Sequence, residues 1–454
     1  MSVSHSTASP ADALWQLIRR LHFYIGLFVG PFILVAALTG TLYVLTPQLE
    51  SWLYRDALTS TPQAEVQPLA RQVAVARQRL GEAARIVAVR PAPGPHDTTR
   101  VLFSDPALAA GESRALFIDP YSLQIKGDLT VYGTSGILPL RLWLDKLHRS
   151  LLLGEPGRAY SELAASWLWV AALGGLVLWQ RQRARRRNGI LQARHWHQQL
   201  GLLLLAGLLF FSATGLTWSR WAGGNIDLLR AQLGWLTPQL HSQLAEHHAM
   251  PAQGEHAQHM ADMTMAAGNP MDPQWDAVLQ AARQAGLSAG RLELKPPKAA
   301  DQAWIVNEID RRWPTRVDGV AVHPQSLAIL DRTRFAEFPL VAKLTRWGID
   351  AHMGVLYGLP NQLLLVAFGL GLCGLILLGY RIWWLKRPAP GRQAPLRTLA
   401  SAWLVLGGLG RGLSLLLALG LGWALPLLGV SLLIFLLLDT LRWWRLVRQP
   451  LATV

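Results

Sequence analysis

The chain has 454 residues, 51% of them hydrophobic and only 16% charged, with a formal net charge of +15. That balance excludes an ordinary soluble enzyme and points to an integral membrane protein with sizeable parts outside the bilayer. The charge is not a nucleic-acid footprint and no nucleic-acid partner is expected, because much of it lies beside apolar runs, where it reads as topology.

In chain order, residues 1–20 read as a cytoplasmic N-terminus that closes on Arg19 and Arg20. Leu21–Leu45 contains no Asp, Glu, Lys or Arg, and about 20 apolar residues suffice to span, so 21–46 is expected as a first span. It is longer than a signal-peptide core and lacks a small-x-small exit, so it reads as a retained anchor. Residues 47–145 form a first outside region. Here "LARQVAVARQRL" has helical periodicity, and "ARIVAV", "TRVLFS" and "ALFIDP" read as strands of a small α+β module. A helix on the outer side plus the second span is expected over 146–180, and the basic loop 181–194 follows with "RQRARRR".

The third span is expected at 195–219 and a second outside region at 220–350. In that region "WDAVLQAARQAG" is the helix, and "RLELKP", "AWIVNE" and "VDGVAVHP" are the strands. A fourth span follows at 351–384. Leu399–Leu438 is about twice the length of one span and is interrupted only by Arg411, so it reads as a hairpin of spans at 397–420 and 423–444. Residues 445–454 close the chain. Basic residues at the span ends then place both termini in the cytoplasm, with 47–145 and 220–350 outside. "GGLGRG", Gly407–Gly412, is assigned to helix packing in the fifth span, and no dinucleotide fingerprint is present. Cys373 is the only cysteine, which excludes an intrachain disulfide and a C-x-x-C-H haem attachment.

The expected fold is therefore an all-α transmembrane bundle of about six helices with two small outside α+β domains, and it is internally duplicated. From His22, Gly26, Thr39 and Gly40 stand at +4, +17 and +18; from His197, Gly201, Thr214 and Gly215 stand at the same distances. "DPYSL" and "HPQSL" each precede a further histidine, His148 and His352, by 29 residues. Gly154 and Pro156 follow the one, Gly358 and Pro360 the other, in the same register. The offsets are 175 residues at the first histidines and 204 at the second, so the second outside region carries an insertion. It lies at 241–271, rich in His and Met, where His247, His248, His256, His259 and Met260 are candidate ligands for a soft metal such as copper.

Two histidines near each membrane face, each tied to a glycine, suit bis-histidine ligation of two b-type haems. In this reading His22 and His197 bind the inner iron and His148 and His352 the outer one. Gly26 and Gly201, one turn along, leave room for the porphyrin. Arg20, Arg194 and Arg149 are candidates for the propionates, and His195 falls outside the register. A proton path is disfavoured because the spans are expected to hold no acidic partner. Electrons would come from a separate donor, a membrane quinol or a cytoplasmic reductase.

The stretches "RRLHFYIGLFVGPFILVAALTG", "LHRSLLLGEPG", "RHWHQQLGLLLLAGLLFFSATGLTW" and "AHMGVLYGLPNQLL" resemble the PepSY-associated transmembrane family of iron-regulated and ferric-siderophore-reducing membrane proteins. The resemblance covers nearly the whole chain. It implies a bacterial inner-membrane protein with two periplasmic PepSY-like domains and two stacked b-type haems on His22, His148, His197 and His352. It also implies electron delivery to periplasmic ferric iron, as a ferric-siderophore. The His/Met-rich insertion departs from the family's basic pattern and leaves copper handling as a second reading. A non-enzymatic membrane anchor whose outside domains bind a periplasmic peptidase or peptide is a third. The oligomeric state stays open.

Overall fold

The computed structural model describes residues 10–183, 192–244, 274–386 and 398–448. The chain is mostly helical and divides into two compact units, one of membrane helices and one built on a sheet.

The membrane unit holds five helices long and apolar enough to cross a bilayer: Asp12–Val44, Gly154–Arg181, Gln192–Thr217, Leu359–Lys386 and Pro426–Arg445. The chain is thus a multi-pass membrane protein. Gly408–Ala424 is apolar but has 17 residues, about 25 Å of helix, short of a hydrocarbon core of about 30 Å. Here the expected fifth span, 397–420, is corrected. It breaks at Leu406–Gly407 into a short helix, Leu399–Val405, and the helix Gly408–Ala424. Thr398 caps the short helix with its side chain, and Gly407 starts the next one. Arg411 is therefore not mid-span. It lies in the first turn, stacks on Trp403 at 5.5 Å and donates to the Leu404 carbonyl that ends the preceding helix. The close glycine contact of the hairpin is not in Gly407–Gly412 but between Gly422 and Gly429.

The core of this unit is built from Tyr24, Ile25, Val29 and Ile33 of the first span, Trp167, Leu168 and Ala172 of the second, Leu204 and Leu208 of the third, Leu372 of the fourth and Phe435 of the last. Two polar groups in it are paired across spans: Ser212 donates to the Ala165 carbonyl at 2.6 Å, and Trp167 to Ser431 at 2.8 Å. Glu162, fully buried, accepts the Trp221 and Ala222 N–H groups at 2.9 and 3.0 Å, so its charge sits at the positive end of the helix Trp221–Gln232.

The repeated Gly and Pro start the second and fourth spans. Gly154 and Gly358 have φ of +66° and +61°, left-handed conformations that cost glycine little, and Pro156 and Pro360 sit in the first helical turn that follows. His148 lies on a separate helix, Pro139–Ser150, and His352 ends the helix Leu340–His352. The span boundary expected at 351 thus falls inside the second of these helices.

The sheet unit departs from the expectation of two separate modules. Strands β1 (Ile86–Arg90), β2 (Thr99–Phe103), β3 (Glu112–Ile118) and β4 (Ile125–Tyr132) form one antiparallel meander; β5 (Leu292–Lys295), β6 (Trp304–Glu308), β7 (Gly319–Val322) and β8 (Ile329–Thr333) form another. The two join through β1 and β5, Val89 opposite Leu294, into one eight-stranded sheet. Each meander alone would leave its first strand as an open edge, and pairing the two closes both. One core serves both halves: Val73 and Ala76 from the helix Leu69–Leu80, Val278 and Ala282 from the helix Trp275–Gln284, and Val89, Val101, Leu294, Trp304 and Val306 from the sheet. Asp276 of the second half accepts the Leu69 and Ala70 N–H groups at 2.7 and 2.9 Å and so caps the helix of the first. At the seam Arg90 Nε donates to Glu293 at 2.7 Å, with side-chain exposures of 7% and 4%.

Candidate functional site

His22 and His197 come from the first and third spans and meet in the membrane unit, ring centroids 6.5 Å apart and 80° between planes. His22 Nδ1 lies 3.0 Å from the Ala171 carbonyl, and His197 Nδ1 3.0 Å from the Leu375 carbonyl. A carbonyl only accepts, so each Nδ1 carries the proton and donates, and each Nε2 keeps a free lone pair. The two carbonyls are 204 residues apart, the same offset as between His148 and His352. Gly175 and Gly379 share that offset: a Cβ on either would stand 3.3 Å from His22 Cε1 or 3.5 Å from His197 Cε1. Each imidazole thus lies against a glycine of a neighbouring span, and the repeat extends to the groups that hold the ligands. Sequence reasoning missed all four positions. The glycines carried a signal, the 204-residue offset; the carbonyls did not, because any residue can supply one.

Both rings open into a cavity of about 960 Å³. Its wall includes Gly26 and Gly201, the basic residues Arg19, Arg20 and Arg194, and apolar side chains such as Leu168, Leu208 and Leu372. A Cβ at Gly26 would meet nothing within 4 Å, so its missing side chain faces open space; at Gly201 the nearest atom is Leu375 Cδ1 at 3.7 Å. A π-helical turn, Ile25–Val29, starts three residues after His22 and contains Gly26, the kind of helix irregularity frequent at functional sites. His195 is exposed, stacks edge-on to Trp196 at 6.0 Å and does not line the cavity.

His148 has its own support in the same unit. Its Nδ1 lies 3.0 Å from Thr39 Oγ1, and Thr39 gives its hydroxyl proton to the Val35 carbonyl at 2.7 Å. The hydroxyl oxygen therefore accepts from Nδ1. A Cβ on Gly40 would stand 3.1 Å from the ring, which accounts for the glycine in this copy; at its counterpart Gly215 the nearest atom is Ala165 Cβ at 3.1 Å. Tyr160 steadies the helix by donating to the His148 carbonyl at 2.6 Å. His352 belongs to the sheet unit, half-buried, two residues after Asp350. Asp350 is fully buried and accepts from Arg311 Nε at 2.5 Å.

One expectation needs correction: the spans do hold acids, Glu162 in the second and Asp439 in the last. Asp439 is 2% exposed in the last span and lines the same cavity as the inner histidines. It stands one residue past the charge-free run that ends at Leu438. His247, His248, His256, His259 and Met260 lie outside the described residues. Among the described residues, no group of three or more His, Cys, Asp or Glu side chains is placed to hold a metal ion. His241, also from the His-rich stretch, faces Asp331 at 3.0 Å.

Five long apolar helices, with a half-buried imidazole pair whose Nδ1 atoms are held by backbone carbonyls, define a multi-pass membrane protein. A family model for the PepSY-associated TM region matches residues 19–386, and the chain belongs to that family. No curated protein matches the chain. The helices from Leu399 onward lie beyond the matched residues.

Proposed function

We propose that the protein is a di-haem b oxidoreductase of a bacterial inner membrane that passes electrons to periplasmic ferric iron, most simply a ferric-siderophore. The observation that carries this reading is the inner histidine pair. Two metal–imidazole bonds of about 2 Å and two ring radii of about 1.2 Å give a centroid separation of about 6.4 Å; the rings of His22 and His197 stand 6.5 Å apart. Their Nδ1 atoms are held by backbone carbonyls, the usual support of a metal-bound imidazole. The open space at Gly26 and the apolar wall suit a porphyrin, and Arg19, Arg20 and Arg194 suit its propionates.

His22 and His197 would hold the inner haem, and His148 and His352 the outer one. When bound, the haems supply one-electron transfer between the two membrane faces. The chain's own work is to fix the ligand tautomers through the Ala171 and Leu375 carbonyls and Thr39, to keep water from the cavity with leucine side chains, and to offset carboxylate charge with arginine. A hard-oxygen chelator holds Fe(II) far less well than Fe(III), so reduction of the chelate releases the metal. The His/Met-rich composition of 241–271 supports a second reading, copper as the metal handled.

The test is the absorption spectrum of the purified protein, oxidised and dithionite-reduced. A low-spin b-type spectrum with about two haems per chain is expected; a colourless protein from haem-replete cells would sink the proposal. Gly26→Leu gives a second check. A side chain there fills the space against the ring, so inner-site haem occupancy should fall about tenfold or more at limiting haem, as for a lost supporting contact. Haem titration followed by absorbance reads this, and an unchanged titration would remove the role given to Gly26.

A further inference from the structure

Asp439 is an acid that the histidine chemistry does not use. An ionisable side chain at membrane depth is expensive and marks function by default. One of its oxygens accepts the Ala400 N–H at 3.0 Å and so ties down the short helix Leu399–Val405. The other accepts the Tyr24 hydroxyl at 2.5 Å. Two further rings pack on Tyr24, Phe28 at 6.0 Å and Phe435 at 6.3 Å, and these two lie 5.7 Å from each other. Phe28 is 45% exposed on its span, so the group can be reached from the apolar side. Tyr24, Phe28, Phe435 and Asp439 all line the large cavity, together with Arg20 and Arg442.

This lobe is separate from the face that holds the imidazoles. Tyr24 follows His22 by two residues, about 200° around a helix, whereas Gly26 returns to the side of His22. The cavity wall includes consecutive residues from His22 to Phe28, so it reaches round the first span and touches both faces.

The geometry points to a binding site for a lipid-soluble hydroquinone at Tyr24, Phe28, Phe435 and Asp439. This names the electron donor of the proposed function and rests on that reading. The aromatic rings offer stacking faces for the quinol ring, and the Asp439 carboxylate, oriented by the Tyr24 hydroxyl that it accepts, has a further lone pair for one of the quinol hydroxyls. Oxidation breaks both O–H bonds of the hydroquinone and yields the quinone, two protons and two electrons. The Asp439 carboxylate takes one proton and water the other; the electrons pass singly to two ferric b-type haems. A soluble donor that delivered electrons alone would give a buried carboxylate no proton to accept, which is why the hydroquinone is favoured. Asp439, Phe435 and Arg442 lie beyond the residues matched by the family, so this wall is contributed by the C-terminal hairpin of this chain.

The test uses the full chain in lipid nanodiscs and a fluorescent hydroxyquinoline N-oxide, a quinol analogue whose emission is quenched on binding. Asp439→Asn and Tyr24→Phe should each weaken probe binding about tenfold or more, the worth of a charge-assisted hydrogen bond. Reduction by duroquinol should slow in step, with haem content and reduction by dithionite unchanged. Wild-type probe affinity in both variants, at normal haem content, would overturn the site. Should Asp439→Asn fail to fold, Tyr24→Phe and Phe28→Ala carry the same comparison. If the protein holds no haem, the proposed function fails, while quenching of the probe still reports on this site by itself.

Discussion

His197→Ala should reduce the haem content from about two per chain to about one, whereas His195→Ala should leave it unchanged. The two histidines are two residues apart on one helix, so net charge, expression and bilayer insertion are matched between the variants. Their surroundings differ. His197 presents a free Nε2 to the cavity because the Leu375 carbonyl holds its Nδ1, while His195 is exposed and lines no part of it. In the proposed di-haem reading, loss of the His197 imidazole would leave His22 as the one histidine of that pair, and any haem retained there would turn from low-spin towards high-spin. Pyridine haemochrome assay and the reduced spectrum read both effects. Equal loss in the two variants would mean that the bundle, rather than the ligand, had been damaged.

The second large effect is expected at the seam of the sheet. Arg90 and Glu293 are buried and charged, and each is the main compensation of the other. Burial alone would raise the Glu293 pKa, but Arg90 first, and then Lys295, outweigh it and hold the group below its ordinary 4.5. Glu293→Leu leaves an uncompensated buried guanidinium and should cost about 3–5 kcal/mol, while the double variant Arg90→Met, Glu293→Leu should recover most of that loss. Thermal unfolding of the solubilised protein, followed by tryptophan fluorescence, reads the difference. The sign of the pH dependence follows from the same shift. A carboxylate with a depressed folded pKa contributes fully above its unfolded value, and the contribution is lost as pH falls through the folded one. The sheet unit should therefore lose stability below about pH 4.5, and the double variant should lose less. If both proteins lost the same amount on acidification, the pair would not be its source.

Much of the site is legible in the offset arithmetic alone. His22 and His197 stand 175 residues apart, and their rings meet in the bundle; Thr39 and Gly40, which in the sequence are only repeated letters, support His148. The rest is hidden for separate physical reasons. The Ala171 and Leu375 carbonyls carry no residue signature, since every residue has one. Asp439 escapes because it sits at the edge of an apolar run, where an acid reads as the end of a span. Strands β4 and β8 are polar and hold a single buried residue between them, Val131, so neither shows the apolar pattern that marks the inner strands. The joining of the two meanders is also invisible, because edge pairing is made by backbone groups that sequence pattern does not name. The break at Gly407 is written in the glycines themselves, but the apolar residues on either side mask it.

The seam between β1 and β5 also sets a clock. β1 ends at Arg90 and its partner begins at Leu292, with the second and third spans between them. At about 5–20 residues per second, the ribosome needs roughly 10–40 s to supply that partner. Through this interval the first meander has an unpaired edge and half a core, an invitation to pair with the wrong strand. Productive assembly thus depends on something covering β1 while two helices enter the bilayer. A cell lacking its holdase chaperones should accumulate this chain as aggregate from the nascent first half onward, even though the finished sheet has no open edge at its centre.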